Sequence, residues 1–235
     1  MIIKCVWEHN GNDSILYAID FVGAFTKGAS KEEAVLKMPE EIRRFQLWMN
    51  QTPSAGYDIV IAQEQESDLQ IKDADSDVLF VSEDNPLSAE EYHYLKSLAM
   101  KSAEDFYALY NALPDKNKSV LAPRETFYGS VPRTAEEMYQ HTKNVNEYYF
   151  SEIDVEADNE GTIISCRERG FEALESIPNY LSLEPVTGSY GEMWSVRKVL
   201  RRFIWHDRIH AKAMYRMGIK TFGVNAIPDV FGFDL

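Results

Sequence analysis

The stretch that most constrains this chain is Trp194 to Lys220, WSVRKVLRRFIWHDRIHAKAMYRMGIK. Val196, Val199, Phe203, His206, His210, Ala213 and Met217 recur at alternating steps of three and four. That period describes one face of a helix, turned toward a core. Two positions on that face are histidine. Burying an imidazole is costly unless each ring finds a partner. The i, i+4 spacing stacks the two rings on one side of the helix, which is how a helix offers two nitrogen ligands to a single metal ion. The rest of the chain is then expected to supply a third ligand and a container.

The segment before Ser82 has a different character. Short strands are expected over Ile2–Trp7, Ile15–Val22 and Tyr57–Ala62, with a turn at Asn10–Asp13 and an edge strand over Val78–Val81. Ser30 followed by Glu33 reads as a capping box that opens a helix, with Pro39 inside it as a kink point. The run Gly23-Ala24-Phe25-Thr26-Lys27-Gly28-Ala29-Ser30-Lys31-Glu32-Glu33-Ala34 resembles the strand-to-helix signature of the HicB-like family. Here Gly23 and Gly28 would permit tight turns and Ser30 would cap the helix. The resemblance implies a small α+β domain over residues 1–82. The antitoxin roles of that family are not carried over, because a large acidic helical region follows. The segment is expected to be a packing domain.

A hinge is expected over residues 82–90, centred on Pro86. Beyond it lie four amphipathic helices. Capping boxes at Ser88/Glu91 and Thr134/Glu137 open the first two. The second carries Met138, His141, Val145 and Tyr148 on its expected inward stripe. Thr162–Ile177 makes the third, and Trp194–Lys220 the fourth. The crossover from Asp115 to Arg133 reads equally as packing or as a binding segment. The tail from Val224 to Leu235 is apolar and is expected to pack down. The fold class is therefore α+β: a β-rich domain over 1–82, then a four-helix bundle over 88–235.

Three of the five histidines, His141, His206 and His210, thus fall on inward stripes of two helices. His93 lies one step off its stripe and reads as exposed. The segments Met138-Tyr139-Gln140-His141-Thr142, Trp194-Ser195 and Trp205-His206-Asp207-Arg208-Ile209-His210-Ala211 resemble the DinB/YfiT-like superfamily over roughly residues 88–222. They match its single histidine on the second helix, its Trp-Ser/Thr opening and its H-x-x-x-H on the last helix. The resemblance implies a metal-binding bundle, usually with zinc or nickel, some of whose members act as thiol-dependent transferases or isomerases. A zincin is rejected, because Asp207 stands where H-E-x-x-H needs Glu and no further ligand follows. A serine triad is rejected for want of a G-x-S-x-G elbow.

The net charge of −14, from 38 acidic and 24 basic residues, opposes nucleic-acid and anionic-membrane partners. No apolar run approaches the roughly 20 residues of a membrane span, and no signal peptide is evident, so a cytoplasmic protein is expected. Cys5 and Cys166 read as free thiols. Arg197, Lys198, Arg201, Arg202 and Arg208 form a basic strip, expected to be solvated or paired with the acidic first domain.

Two functions stand side by side. One is a metal-dependent transferase or hydrolase using the three histidines as zinc or nickel ligands, with Tyr148, Tyr149, Tyr128 and Arg124 at the pocket mouth and a small-molecule substrate. The other is a non-catalytic interaction module with a structural metal or none. A homo-oligomer fits either.

Overall fold

The structure is a computed structural model that describes residues 1–233. Its N-terminal layer is a four-stranded mixed sheet of β1 (Ile2–His9), β2 (Ser14–Ala18), β3 (Phe25–Gly28) and β4 (Asp58–Glu66), in the order β3-β2-β1-β4. β1–β2 and β2–β3 are antiparallel, and β1–β4 is parallel. Asn10 closes the β1–β2 turn by accepting from the Asn12 and Asp13 amides at 3.0 and 2.8 Å, an Asx turn. Side chains alternate as the pleat requires. Ile3, Cys5, Leu16 and Ala18 meet Ala34, Met38, Ile42 and Phe45 of α1 (Lys31–Trp48) on one face. Val6, Ile15, Tyr17 and Phe25 on the other face meet Trp205, Ile71, Val78 and Phe80.

The third strand was not expected. Residues 23–28 read as a turn, yet Phe25–Gly28 pairs with Ser14–Tyr17. Only Gly23 turns the chain in the left-handed region, at φ +96°. Gly28 is needed for a different reason: a Cβ there would stand 2.8 Å from the Ala34 amide nitrogen. Ser30 caps α1 as expected, accepting from the Glu33 amide at 3.3 Å, and the helix runs unbroken through Pro39.

The edge strand expected over Val78–Val81 is absent. A side-chain amide takes the place of a ladder, since Gln63 of β4 donates to Leu79 O at 2.9 Å and accepts from Val81 N at 2.8 Å. The carbonyls of Ser76, Asp77 and Val78 accept from Arg202, Lys198 and Arg201 at 2.8, 2.6 and 2.8 Å. Side chains thus engage the segment's first two carbonyls and the two just before it, in place of a strand ladder. The expected hinge contains a 3-10 turn, Val81–Asp84, in which Glu83 is buried.

The helical layer comprises α2 (Ala89–Ala112), α3 (Ala135–Ser151), α4 (Ile163–Glu175) and α5 (Val196–Phe222). α2 packs on α5 and α4, and α3 packs on the same two. The Ser88/Glu91 and Thr134/Glu137 capping boxes form as read, and Ser195 caps α5 by accepting from the Lys198 amide at 3.1 Å. The tail packs down through Ile227, Phe231 and Phe233, with Phe231 stacked on Trp48 at 5.2 Å; the last two residues of that expectation lie outside those described. The crossover forms a small hairpin, β5 (Glu125–Thr126) with β6 (Gly129–Ser130), and β7 (Val186–Thr187) pairs with β8 (Met193–Trp194) before α5. Among the described residues no helix is long and apolar enough to cross a membrane.

Every residue of α5 from Lys198 to Arg208 is buried. The helix has two inner faces, one against the other helices and one against the sheet. The basic strip is therefore not solvated; it pairs with the N-terminal layer, with the hinge and, through Lys198, with the turn just before α5. Arg201 bonds Glu83 Oε2 at 2.9 Å, Arg208 bonds Glu41 at 2.8 Å and Gly23 O at 3.0 Å, and Lys198 reaches Glu192 at 2.8 Å. Arg197, at the rim, meets Pro86 O at 3.1 Å. Buried cations persist only when paired in this way.

Candidate metal centre

The sequence places His206 and His210 one turn apart on α5, and the Thr134 cap fixes where α3 begins and so where His141 stands along it. Packing of α3 on α5 brings the three rings together. Ring centroids lie 5.2 Å apart for His141–His206, 4.6 Å for His141–His210 and 4.4 Å for His206–His210. One nitrogen from each ring lies within 4.8 Å of the others. Tetrahedral coordination with bonds of about 2.0–2.1 Å sets donor nitrogens about 3.3 Å apart. The three histidines are close enough to bind a metal ion. His93, as expected, is exposed and bonds only its own helix, at Ala89 O.

The α3 stripe differs from the expected one. Its buried line is Met138, Tyr139, Thr142, Asn146, Tyr149 and Phe150, whereas His141, Val145 and Tyr148 flank it, half-buried. Polar residues hold the centre because their donors find partners inside the fold. Thr142 donates to Met138 O at 2.8 Å, and Asn146 donates to Cys166 O at 3.0 Å and Asp158 O at 2.8 Å. The shift leaves His141 at the margin of the packed core.

The electrostatics favour neutral rings. Burial lowers the pKa of His141. Burial, then His141, holds His210 down to about 3. His206 lies well below its ordinary value through burial, then His210, His141 and the Arg202 and Arg167 guanidiniums. Neutral imidazole is the ligating form. His206 Nδ1 is buried without a hydrogen-bond partner among the described residues, a costly state that a bound ion would relieve. A three-imidazole donor set suits zinc and nickel, among other transition metals. The residues present fit such an ion.

A cavity of about 650 Å³ opens beside the cluster, with His210 and Ala213 on its wall. Arg124 and Tyr128 also line it, as the sequence suggested. Arg124 is fixed there by Asp73 at 2.7 Å, so the crossover is docked on the N-terminal layer. The other two expected mouth residues lie elsewhere. Tyr149 is buried with its ring 5.9 Å from that of His206, and Tyr148 borders a separate depression with Glu152 and Ser189.

No carboxylate stood out in the sequence as a general base, and the structure buries Asp207 beside the cluster and Glu41 on the cavity wall. Asp207 is fully buried but held by Arg167 and by Ser102 Oγ at 2.6 Å. Glu41, buried on the cavity wall, is bound by Arg208. The cationic side chains Lys27, Lys37, Lys212 and Arg216 on that wall were also missed. Their only signal in the sequence was charge, which says nothing of convergence. Cys5 and Cys166 are free and buried, and burial pushes the Cys5 thiol up to about 12 and raises that of Cys166. Neither is a nucleophile in this state.

No protein-family model, curated protein or solved structure matches the chain.

Proposed function

We propose that this chain is a divalent-metal-dependent enzyme of the DinB-like kind, with zinc or nickel held by His141, His206 and His210 and a HicB-like N-terminal domain. The observation that carries the reading is the position of His210. It belongs to a convergent set of neutral imidazoles, and it also lines a cavity large enough for a substrate. A bound divalent cation supplies Lewis acidity, lowering the pKa of a water or thiol at its open position. The chain's own residues do the rest. The burial of His206 and Tyr149 keeps water from the inner side. Arg124 and Tyr128 border the substrate side. A transferase or a hydrolase reaction fits this arrangement.

The alternative is a non-catalytic module with a structural ion. Structural zinc sites are closed by a fourth protein ligand. Among the described residues the group contains three histidines and no fourth His, Cys, Asp or Glu, which favours the catalytic reading.

The test is metal analysis of purified protein after incubation with zinc or nickel and gel filtration. About one ion per chain is expected for the wild type, and loss of the ion without loss of helical circular dichroism for His210→Ala. Equal metal content in both proteins would refute the site. X-ray absorption showing four protein ligands would favour the structural alternative.

A further inference from the structure

The cavity beside His210 has a charge opposite to that of the molecule. Lys27 comes from β3, and Lys37 and Arg44 from α1. Lys72 lies on the turn after β4, and Arg124 in the crossover. Lys212 and Arg216 extend from α5, two and six residues past His210. Seven cations thus converge from five separate segments, against three carboxylates, Glu40, Glu41 and Asp73, in a chain of net charge −14.

The carboxylates do not neutralise the wall. Arg44 pairs with Glu40 at 2.8 Å and Arg124 with Asp73 at 2.7 Å. Glu41 is already bound by Arg208 at 2.8 Å and stands 3.7 Å from Lys212. Lys37 pairs outside the cavity, with Glu33. Among the described residues Lys72 and Arg216 take part in no ion pair. Lys27 donates to the Lys72 carbonyl at 2.7 Å. Burial lowers the pKa of Lys27, Asp13 and Asp73 partly offset it, and Arg124 adds to the lowering. Like charges gathered around a concave, partly desolvated surface focus a positive potential.

We propose that this cavity binds a small organic anion bearing phosphate or carboxylate groups, the N-terminal layer supplying much of its cationic wall. Its volume of about 650 Å³ suits a metabolite-sized ligand, within the usual range of roughly 300–1,000 Å³. A nucleic-acid strand needs an open basic track, and the acidic remainder of the chain opposes one. The orientation of the anion toward His210 rests on the metal reading above; the anion site itself rests on the cavity alone.

The test is calorimetric titration of the full chain, in EDTA, with phenyl phosphate, with succinate and with neutral 1,4-butanediol. The variants are Lys72→Gln/Arg216→Gln, whose side chains are exposed, and Lys118→Gln, an exposed control outside the cavity. At least one of the anions is expected to bind the wild type and the control equally, the diol not to bind, and the double variant to bind at least about tenfold more weakly. Binding of phenyl phosphate alone would assign a phosphate site, and of succinate alone a carboxylate site. No anion binding by the wild type, undiminished binding by the double variant, or equal binding of the diol would overturn the proposal. Zinc stoichiometry on the same preparations separates the two readings. Anion binding without zinc uptake would remove the metal centre and keep the anion site, and zinc uptake without anion binding would do the reverse.

Discussion

Acid should destabilise the metal-free protein through its histidine cluster. His210 is held down to about 3 when folded, against about 6.5 when unfolded. Between those values the unfolded chain binds a proton that the folded chain refuses. Stability present above the unfolded value is therefore lost as pH falls toward the folded one. Each pH unit inside that window removes about 1.4 kcal/mol per fully shifted histidine. From pH 7 to pH 5 the full shift at His210 amounts to about 2 kcal/mol, and screening at the cavity wall reduces it to about 1–2 kcal/mol. His206 and His141 are shifted in the same direction, so their contributions carry the same sign. The assay is urea unfolding in EDTA at pH 7, 6 and 5, for wild type and His210→Gln. The carboxylates titrate in both proteins, so the difference between the two curves isolates the ring. The wild type should lose about 1–2 kcal/mol more than the variant over this range. Curves that stay parallel would refute a neutral, buried cluster.

Arg167→Met should cost about 3–5 kcal/mol in urea unfolding, because it leaves the fully buried Asp207 carboxylate unpaired; the double change to apolar residues at both positions should recover most of that loss. Gly23→Ala should cost at least about 2 kcal/mol by the same measurement, since φ is +96° and the new Cβ would lie 2.3 Å from the Ile204 methyl. A cost under about 0.5 kcal/mol would mean that the contact between the β2–β3 turn and α5 is loose.

The helix starts were legible because each is a local event. Ser30, Ser88 and Thr134 with an acid three residues on need no knowledge of the fold; all three hydroxyls cap, and the full box closes at Ser88 and Thr134, whereas Glu33 turns to the Ala29 amide instead. The α5 histidine pair was legible for the same reason: four residues of helix fix it. His141 was found on the right helix but on a misjudged stripe. The pattern of apolar residues cannot show that the Thr142 hydroxyl and the Asn146 amide nitrogen find acceptors inside the fold and so sit deeper. β3 was missed because Gly-Ala-Phe-Thr-Lys-Gly has the composition of a turn, and only pairing with Ser14–Tyr17 makes it a strand. The expected strand at Val78–Val81 failed for the converse reason, its Val78 and Leu79 carbonyls having been taken by the side chains of Arg201 and Gln63, and the two carbonyls before it by Arg202 and Lys198.

Those cations tie the fold to the site. Hydrophobic periodicity assumes that a helix has one inner face, and α5 has two. Lys198, Arg201, Arg202 and Arg208 are buried against carboxylates and carbonyls, and removing one partner from such a pair leaves an uncompensated charge. The helix is thereby held against the N-terminal layer on both sides of its histidine face, Arg208 lying away from the rings and Arg202 one turn before His206 on the same side, which limits its rotation and fixes where the two rings point. The same arrangement puts Arg202 and Arg167 near enough to lower the pKa of His206, and a field that repels a proton also repels a dication. Affinity for the metal must then come from the converged neutral nitrogens and from any negative charge brought alongside. On the readings proposed above, an anion in the basic cavity would supply that charge. Each ligand would then strengthen binding of the other, and by the same factor, because coupling between two sites is reciprocal.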